Sequence, residues 1–227
     1  MNIDGIIFDF DGVLLESEYA GSVQLAAGFT EIGCPTTVEE ALERFVGLSG
    51  RNFVAALEAH FGGPLPEAFY VARKAEDARV LADGLDAVAG AIDFVRALPI
   101  SFPRAIASSS TTHWIETHLA HVGLRDAFGP NIYSGREHVT RGKPAPDIYL
   151  HAARAIGVDI ARTLIVEDSP VGITGAVASG AKVVGLAAGQ HCGPDHEAVL
   201  QRAGAPIVVH DFAAIAEMLE GLIANHN

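Results

Sequence analysis

From Val88 onward the chain alternates short apolar runs with stretches patterned as helices. The runs are Arg104 to Ala107, Asn131 to Ser134, Thr163 to Val166, Lys182 to Leu186 and Pro206 to Val209, and a helical pattern near Val88 to Leu98 precedes them. Strands separated by helices in this way imply right-handed βαβ units in a parallel sheet. An earlier apolar run, Ile6-Ile7-Phe8, adds an opening strand, so the expected fold class is α/β, with a doubly wound parallel-sheet (Rossmann-like) core. Between roughly Glu16 and Ala87 the texture is helical. Thr37-Val-Glu-Glu40 has the pattern of a capping box, with Val38, Leu42, Phe45 and Val46 following at helical spacing. Phe53, Val54, Leu57 and Phe61 form a second stripe before Gly62-Gly63-Pro64, and Pro66 opens a third stretch that runs to Val80. This segment is expected to be a compact helical insertion.

In open parallel sheets the ligand crevice lies beyond the carboxyl ends of the strands. That rule gathers the reactive side chains. Asp9 and Asp11 end the first strand on one face, because side chains alternate along an extended chain, and Gly12 then lets the backbone turn without a Cβ in the way. Ser108-Ser109-Ser110 end the second strand, Glu167-Asp168 end the run of Leu164, Ile165 and Val166, and Lys143 lies in a Gly-Lys-Pro turn before another helix. Ser169-Pro170 supplies a helix cap and a proline at the first helical position.

Carboxylates converging in one crevice repel one another unless a cation intervenes, and hard oxygen ligands favour magnesium. Asp9 and Asp168, with Glu167 beside them, are the candidate ligands. A carboxylate can also attack phosphorus while a second acid passes a proton to the leaving group, and here that second acid is Asp11. A serine hydroxyl and a lysine ammonium suit the charge of a transferring phosphoryl group, roles that fit Ser108 and Lys143.

The stretches DFDGVLLESE, ASSS, GKPAPDIY and VEDSPVGITGAVASGA, in this order and spacing, resemble the four motifs of the haloacid dehalogenase-like hydrolases. The resemblance is to the phosphatase and phosphomutase branch, in which a helical cap is inserted after the first strand. It implies a core of residues 1–16 and 88–227 and an inserted α-helical cap of residues 17–87. It further implies Asp9 as the nucleophile that becomes an aspartyl-phosphate and Asp11 as general acid and base, its backbone carbonyl also touching the metal. Ser108, Ser109 and Lys143 would hold the phosphoryl group, and Asp9, Asp11, Glu167 and Asp168 would form the Mg2+ site. The overall texture, including YSGREHVTRGKPAPD, resembles bacterial sugar-phosphate phosphatases such as those acting on 6-phosphogluconate. The implied activity is magnesium-dependent hydrolysis of a small phosphorylated metabolite. In β-phosphoglucomutase-like members a histidine follows the nucleophile by twelve positions, where this chain has Gly21, which weighs against the alternative of a hexose-phosphate mutase. A further alternative, a phosphate-responsive binding or signalling protein, is disfavoured by Asp11, since an acid there would activate water.

Within the cap, Glu18, Arg51 and Lys74 are the candidate substrate contacts, Arg51 because it follows the loop of Gly47 and Gly50; Arg44 and Arg73 read as solvated helix faces. His113, His118 and His121 lack a clean metal-ligand spacing and are expected on a helix surface, Trp114 reads as structural, and His191, Cys192 and His196 read as a surface loop. A net charge of −13 and a pI near 5.1 argue against a nucleic-acid or anionic-membrane partner. Cys34 and Cys192 read as free thiols of a reducing compartment, and without a signal-peptide pattern or a membrane-spanning run the chain is expected to be cytoplasmic, as a monomer or homodimer.

Overall fold

The computed structural model describes residues 3–46, 48 and 50–223, the side chains of residues 50, 51 and 221–223 excepted. Strands β1 (Gly5–Phe8), β2 (Arg104–Ser108), β3 (Ile132–Ser134), β4 (Thr163–Glu167), β5 (Lys182–Leu186) and β6 (Val208–Val209) form one parallel sheet in the order β3-β2-β1-β4-β5-β6. The order reverses direction at β1, which lies between β2 and β4, so a crevice opens at the carboxyl end of β1. That is where Asp9 emerges.

The helices in chain order are α1 (Ser17–Glu31), α2 (Val38–Phe45), α3 (Gly50–Phe61), α4 (Glu67–Asp83), α5 (Ala91–Ala97), α6 (Thr112–His121), α7 (Arg125–Phe128), α8 (Asp147–Ala155), α9 (Pro170–Ala178), α10 (His196–Arg202) and α11 (Phe212–Ile223). Strand alternation divides the sheet's side chains between two buried layers. Ile6, Phe8, Ile106, Leu164, Val166 and Val184 pack to one side with Phe94, Phe128 and Phe212, whereas Ile7, Ala105, Ala107, Ile165 and Val183 pack to the other with Ile148, Tyr149 and Ile173. Phe8 stands edge-on to both Phe94 and Phe128 at about 6 Å between ring centres, so this strand is anchored by aromatic contacts on one side. Removing such a side chain costs about 3–5 kcal/mol.

Helices α1 to α4 enclose a separate apolar cluster of Leu25, Phe29, Ala41, Phe45, Leu57, Leu65 and Phe69, with Phe29 stacked on Phe45. The capping box forms as the sequence implies: Thr37 Oγ1 accepts from Glu40 N and Glu40 Oε2 accepts from Thr37 N. Within the amphipathic stripes, Phe45 and Leu57 are buried, but Val54 is exposed and Leu42 and Val46 line the crevice, so one apolar face of α2 is shared between cluster and cavity. The two crossings between these helices and the sheet run side by side, Glu16 N donating to Asp86 O and Val88 N to Leu14 O.

The candidate active site

A crevice of about 1080 Å³ lies between the carboxyl ends of β1, β2 and β4 and the helices α1, α2 and α4. Asp9, Asp11, Ser108, Ser109, Lys143 and Asp168 line its floor and Glu18 one side. Asp9 continues the ladder beyond β1, its N–H donating to Val166 O. Its Oδ1 accepts from Phe10 N at 2.7 Å and lies 2.9 Å from Lys143 Nζ. Oδ2 has no partner among the described residues.

Lys143 is buried between Asp9 and Glu167, 2.5 Å from the latter. Burial alone would pull its pKa down, but the two carboxylates outweigh burial and hold the ammonium above its ordinary value. Glu167 is fully buried; burial would raise it, yet Lys143 and the hydroxyl of Tyr149 hold it below the ordinary carboxylate range. Its Oε1 accepts from Lys143 and Tyr149, and its Oε2 from Ser169 Oγ and the N–H groups of Asp168 and Ser169. Asp9 and Asp168 behave oppositely: burial first, then the charge of Glu167, pushes both well above the carboxylate range.

That arrangement is short of positive charge. Oxygen atoms of Asp9, Glu167 and Asp168 lie within 4.8 Å of one another, with one buried ammonium against three carboxylates. Asp168 Oδ1 is buried without any hydrogen-bond partner, an arrangement that costs about 1–3 kcal/mol unless something binds there. Hard oxygens, an excess of negative charge and an unfilled acceptor fit a small divalent cation such as Mg2+.

Asp11 is held by four donors. Ser17 Oγ and Trp114 Nε1 donate to Oδ1 at 2.8 and 3.0 Å, and Ser108 Oγ and Ser110 Oγ donate to Oδ2 at 3.1 and 2.6 Å. Ser108 is thus spent on Asp11 and accepts from Ser110 N, whereas Ser109 is exposed on the crevice floor. Gly12 has φ of +77°, and a Cβ there would lie 1.9 Å from Asp168 Oδ2, so the turn after Asp11 admits only glycine.

Glu18 is partly buried beside these acids, and burial, then Asp168 and Asp11, raise its pKa to about 7. Lys74 is exposed on α4 and does not line the crevice; its neighbour Arg73 does. Gly47 and the Arg51 side chain lie outside the described residues. Arg73 was legible in principle: it shares a helical face with the buried Phe69 and Val80, whereas Lys74 is rotated about 100° away. Its guanidinium lies 5.7 Å from the Phe53 ring centre, and Nη1 is shielded from solvent without a hydrogen-bond partner.

Three expectations change. Trp114 is a direct ligand of Asp11, not a packing residue alone. His118 is fully buried against the Trp114 ring, because it shares the inward face of α6 with Ile115 and Leu119. His191 is buried in place of lying on a surface loop, and its Nε2 donates to Asp168 Oδ2 at 2.9 Å, while His196 Nε2 donates to Asp168 O at 2.7 Å. His191, Cys192 and His196 have ligand atoms close enough for a metal, but both imidazoles are already engaged by Asp168. Burial drives the Cys192 thiol up to about 12, far from thiolate.

Comparison with known proteins agrees with this geometry. A family model described as haloacid dehalogenase-like hydrolase matches residues 3–180. The 6-phosphogluconate phosphatase of Escherichia coli (strain K12) is 29% identical over 194 residues, covering 85% of this chain and 86% of that protein. A haloacid dehalogenase-like protein of unknown function from Agrobacterium tumefaciens superposes with a TM-score of 0.84 at 37% identity, over 96% of this chain and 99% of the other. A family hydrolase from Deinococcus radiodurans, solved with bound phosphate and sodium, gives 0.85 at 32% identity over 97% of each chain. With motif order, sheet topology and an acid-lined crevice in agreement, this chain belongs to the haloacid dehalogenase-like hydrolases and is an enzyme of that family.

Proposed function

We propose that this enzyme is a magnesium-dependent phosphatase of a small phosphorylated metabolite, a sugar or sugar-acid monophosphate, acting through an aspartyl-phosphate on Asp9. The observation that carries the reading is the pairing of a buried Asp9, whose Oδ2 is unengaged, with Lys143 at 2.9 Å and the unfilled Asp168 Oδ1 in one crevice. Likeness to the Escherichia coli 6-phosphogluconate phosphatase supports the substrate class.

Asp9 and Asp168 would hold Mg2+, with Glu167 beside them; the ion would supply charge neutralisation for the phosphoryl oxygens. In the reaction Asp9 Oδ2 attacks phosphorus and the bond to the substrate oxygen breaks, with Asp11, once protonated and released from its four donors, giving its proton to that leaving oxygen. Asp11 then takes a proton from water as water attacks the same phosphorus, releasing phosphate and restoring Asp9. Lys143 balances Asp9 and the phosphoryl charge, and Glu167 keeps it charged and oriented. Ser109, exposed on the crevice floor, would meet a phosphoryl oxygen, and Ser108 would have to release Asp11 to do so. Glu18 faces substrate hydroxyls. Gly21 lines the crevice with open space around it, and no imidazole occupies the position that mutases of the family fill, which favours hydrolysis.

Phosphate release from a panel of sugar, sugar-acid, polyol and nucleoside monophosphates, with and without Mg2+, tests the proposal. Magnesium-dependent release that disappears in Asp9→Asn is expected. Isomerised sugar phosphate without release would replace the phosphatase by a mutase, and release by Asp9→Asn near the wild-type rate would remove Asp9 as nucleophile.

A further inference from the structure

His191 has no role in the chemistry above, yet it occupies a built position. Its ring lies in a slot between two glycines: a Cβ at Gly12 would come within 2.9 Å of His191 Cε1, and one at Gly189 within 2.6 Å of both Cε1 and Nδ1. The side chain is almost wholly buried, Nδ1 has no partner, and Nε2 lies 2.9 Å from Asp168 Oδ2. The single polar contact a carboxylate makes with this ring is therefore through Nε2, which must carry the proton it donates. The loop bearing the ring is tethered in turn, because Glu16 Oε2 accepts from Gln190 N at 2.9 Å. Glu16 itself lies at the crossing between core and cap, where its N–H donates to Asp86 O.

These contacts make one chain of polar links from the crossing to Asp168. Asp168 has two oxygens and only one donor: Oδ2 is taken by His191 and Oδ1 is left bare. A metal-binding carboxylate gains affinity when its second oxygen is hydrogen-bonded, since that bond fixes which lone pairs face the ion. We propose that His191 is a positioning residue: held between Gly12 and Gly189 and tethered through Gln190 to Glu16, it occupies Asp168 Oδ2 and presents Oδ1 to the divalent cation. The proposal rests on the reading of Asp168 as a metal ligand. It also gives a role to the buried Glu16, whose carboxylate reaches the Gln190 amide.

Direct Mn2+ binding, followed by the paramagnetic signal of the free ion, tests this without reference to turnover. Titrations would be run on the wild type, His191→Phe, His191→Gln, Gly189→Ala and Asp168→Asn, each checked for folding by its thermal transition. His191→Phe and Gly189→Ala are expected to weaken Mn2+ binding about 10- to 100-fold, the first by removing the donor and the second by pushing the ring from its slot. His191→Gln, whose amide N–H can reach the same oxygen, should recover affinity to within about threefold of wild type. Wild-type affinity in a folded His191→Phe or Gly189→Ala overturns the proposal, and so does equal weakening in the Phe and Gln variants, which would make the ring mere packing. If His191→Phe does not fold, Gly189→Ala decides by the same criterion. Wild-type affinity in Asp168→Asn would instead overturn the metal reading beneath it.

Discussion

The two walls of the crevice are finished to different degrees. On the core wall Asp11 takes four donors and the Glu167 oxygens take donors from Lys143, Tyr149, Ser169 and the backbone of Asp168 and Ser169, while Asp9 Oδ2 and Asp168 Oδ1 stay open where the phosphoryl group and the cation would sit. On the cap wall Arg73 Nη1 has no partner, Glu18 has its pKa raised to about 7, and Glu39, Glu43 and Asp77 face the opening from exposed helix positions. Satisfied buried networks hold a single geometry, whereas unsatisfied polar groups at a cavity rim await a ligand. On the proposed function, the chemistry falls to the core wall and the choice of substrate to the cap wall.

If that division holds, damage to the core wall should change the rate of the chemical step and damage to the cap wall should change binding. The larger effect is expected at Asp11. In Asp11→Asn the carbonyl oxygen can keep the bonds from Ser17 and Trp114, and the amide can donate to the Ser108 and Ser110 hydroxyls, so the fold and the crevice should survive. What is lost is the proton carrier. Turnover should fall about 100-fold or more, in both formation and hydrolysis of the phospho-enzyme, which rapid quench would resolve. Unchanged single-turnover rates would move the acid and base elsewhere, with Glu18 the next group to examine.

How much of this was legible beforehand follows from the same division. Asp9, Ser108, Glu167 and Asp168 could be found because each ends an apolar run, and strand ends are one-dimensional signals: Phe8 precedes Asp9, Ala107 precedes Ser108 and Val166 precedes Glu167 and Asp168. Two strands are shorter than expected: β3 begins at Ile132 in place of Asn131, and β6 at Val208 in place of Pro206, which has no N–H to donate to a ladder. The cap face was harder, because the choice between Arg73 and Lys74 depends on how α4 is rotated about its axis, and Phe69 and Val80 decide that only once they are known to be buried. His118 misled because a polar residue type suggested a helix surface, although Ile115 and Leu119 flank it at helical spacing. His191 gave almost no local signal. Its slot is made by Gly12, far away in the chain, and by Gly189, whose meaning appears only when the ring beside it is seen.

A smaller and differently shaped effect is expected at Arg73. Its guanidinium packs on Phe53, its Nη1 is unpaired and the residue lines the crevice, so it is a cap cation available to meet an oxygen on the part of the substrate remote from phosphorus. Arg73→Gln should raise KM for the best sugar or sugar-acid phosphate about tenfold while leaving kcat nearly unchanged, the pattern of lost uniform binding. A reporter such as p-nitrophenyl phosphate, with no distal hydroxyl or carboxylate, should be handled as by the wild type. Equal losses on both substrates would mean that Arg73 merely holds the cap together, and would blur the line between the two walls.

The smallest effect is expected beneath the core wall, at His118. The ring supports Trp114 at 4.2 Å between centres, and Trp114 in turn donates to Asp11. Both imidazole nitrogens are buried without partners, and burial, then His121, holds the pKa below its ordinary 6.5. A histidine kept neutral in the folded state contributes stability that is complete above the unfolded value and is lost as pH falls through the window below it, because the unfolded chain there binds the extra proton. His118→Leu removes two unsatisfied atoms, about 1–3 kcal/mol each, against ring contacts with Trp114 and His121 of about 0.5–1.5 kcal/mol each, so at pH 8 the leucine variant should be at least as stable as the wild type in urea unfolding. From pH 7 to pH 5 the leucine variant should gain steadily on the wild type. If His118 only fills space under Trp114, kcat at pH 8 stays the same; a parallel pH dependence, or a variant weaker by more than about 2 kcal/mol at pH 8, would mean that the imidazole is hydrogen-bonded in solution and belongs to the Asp11 network itself.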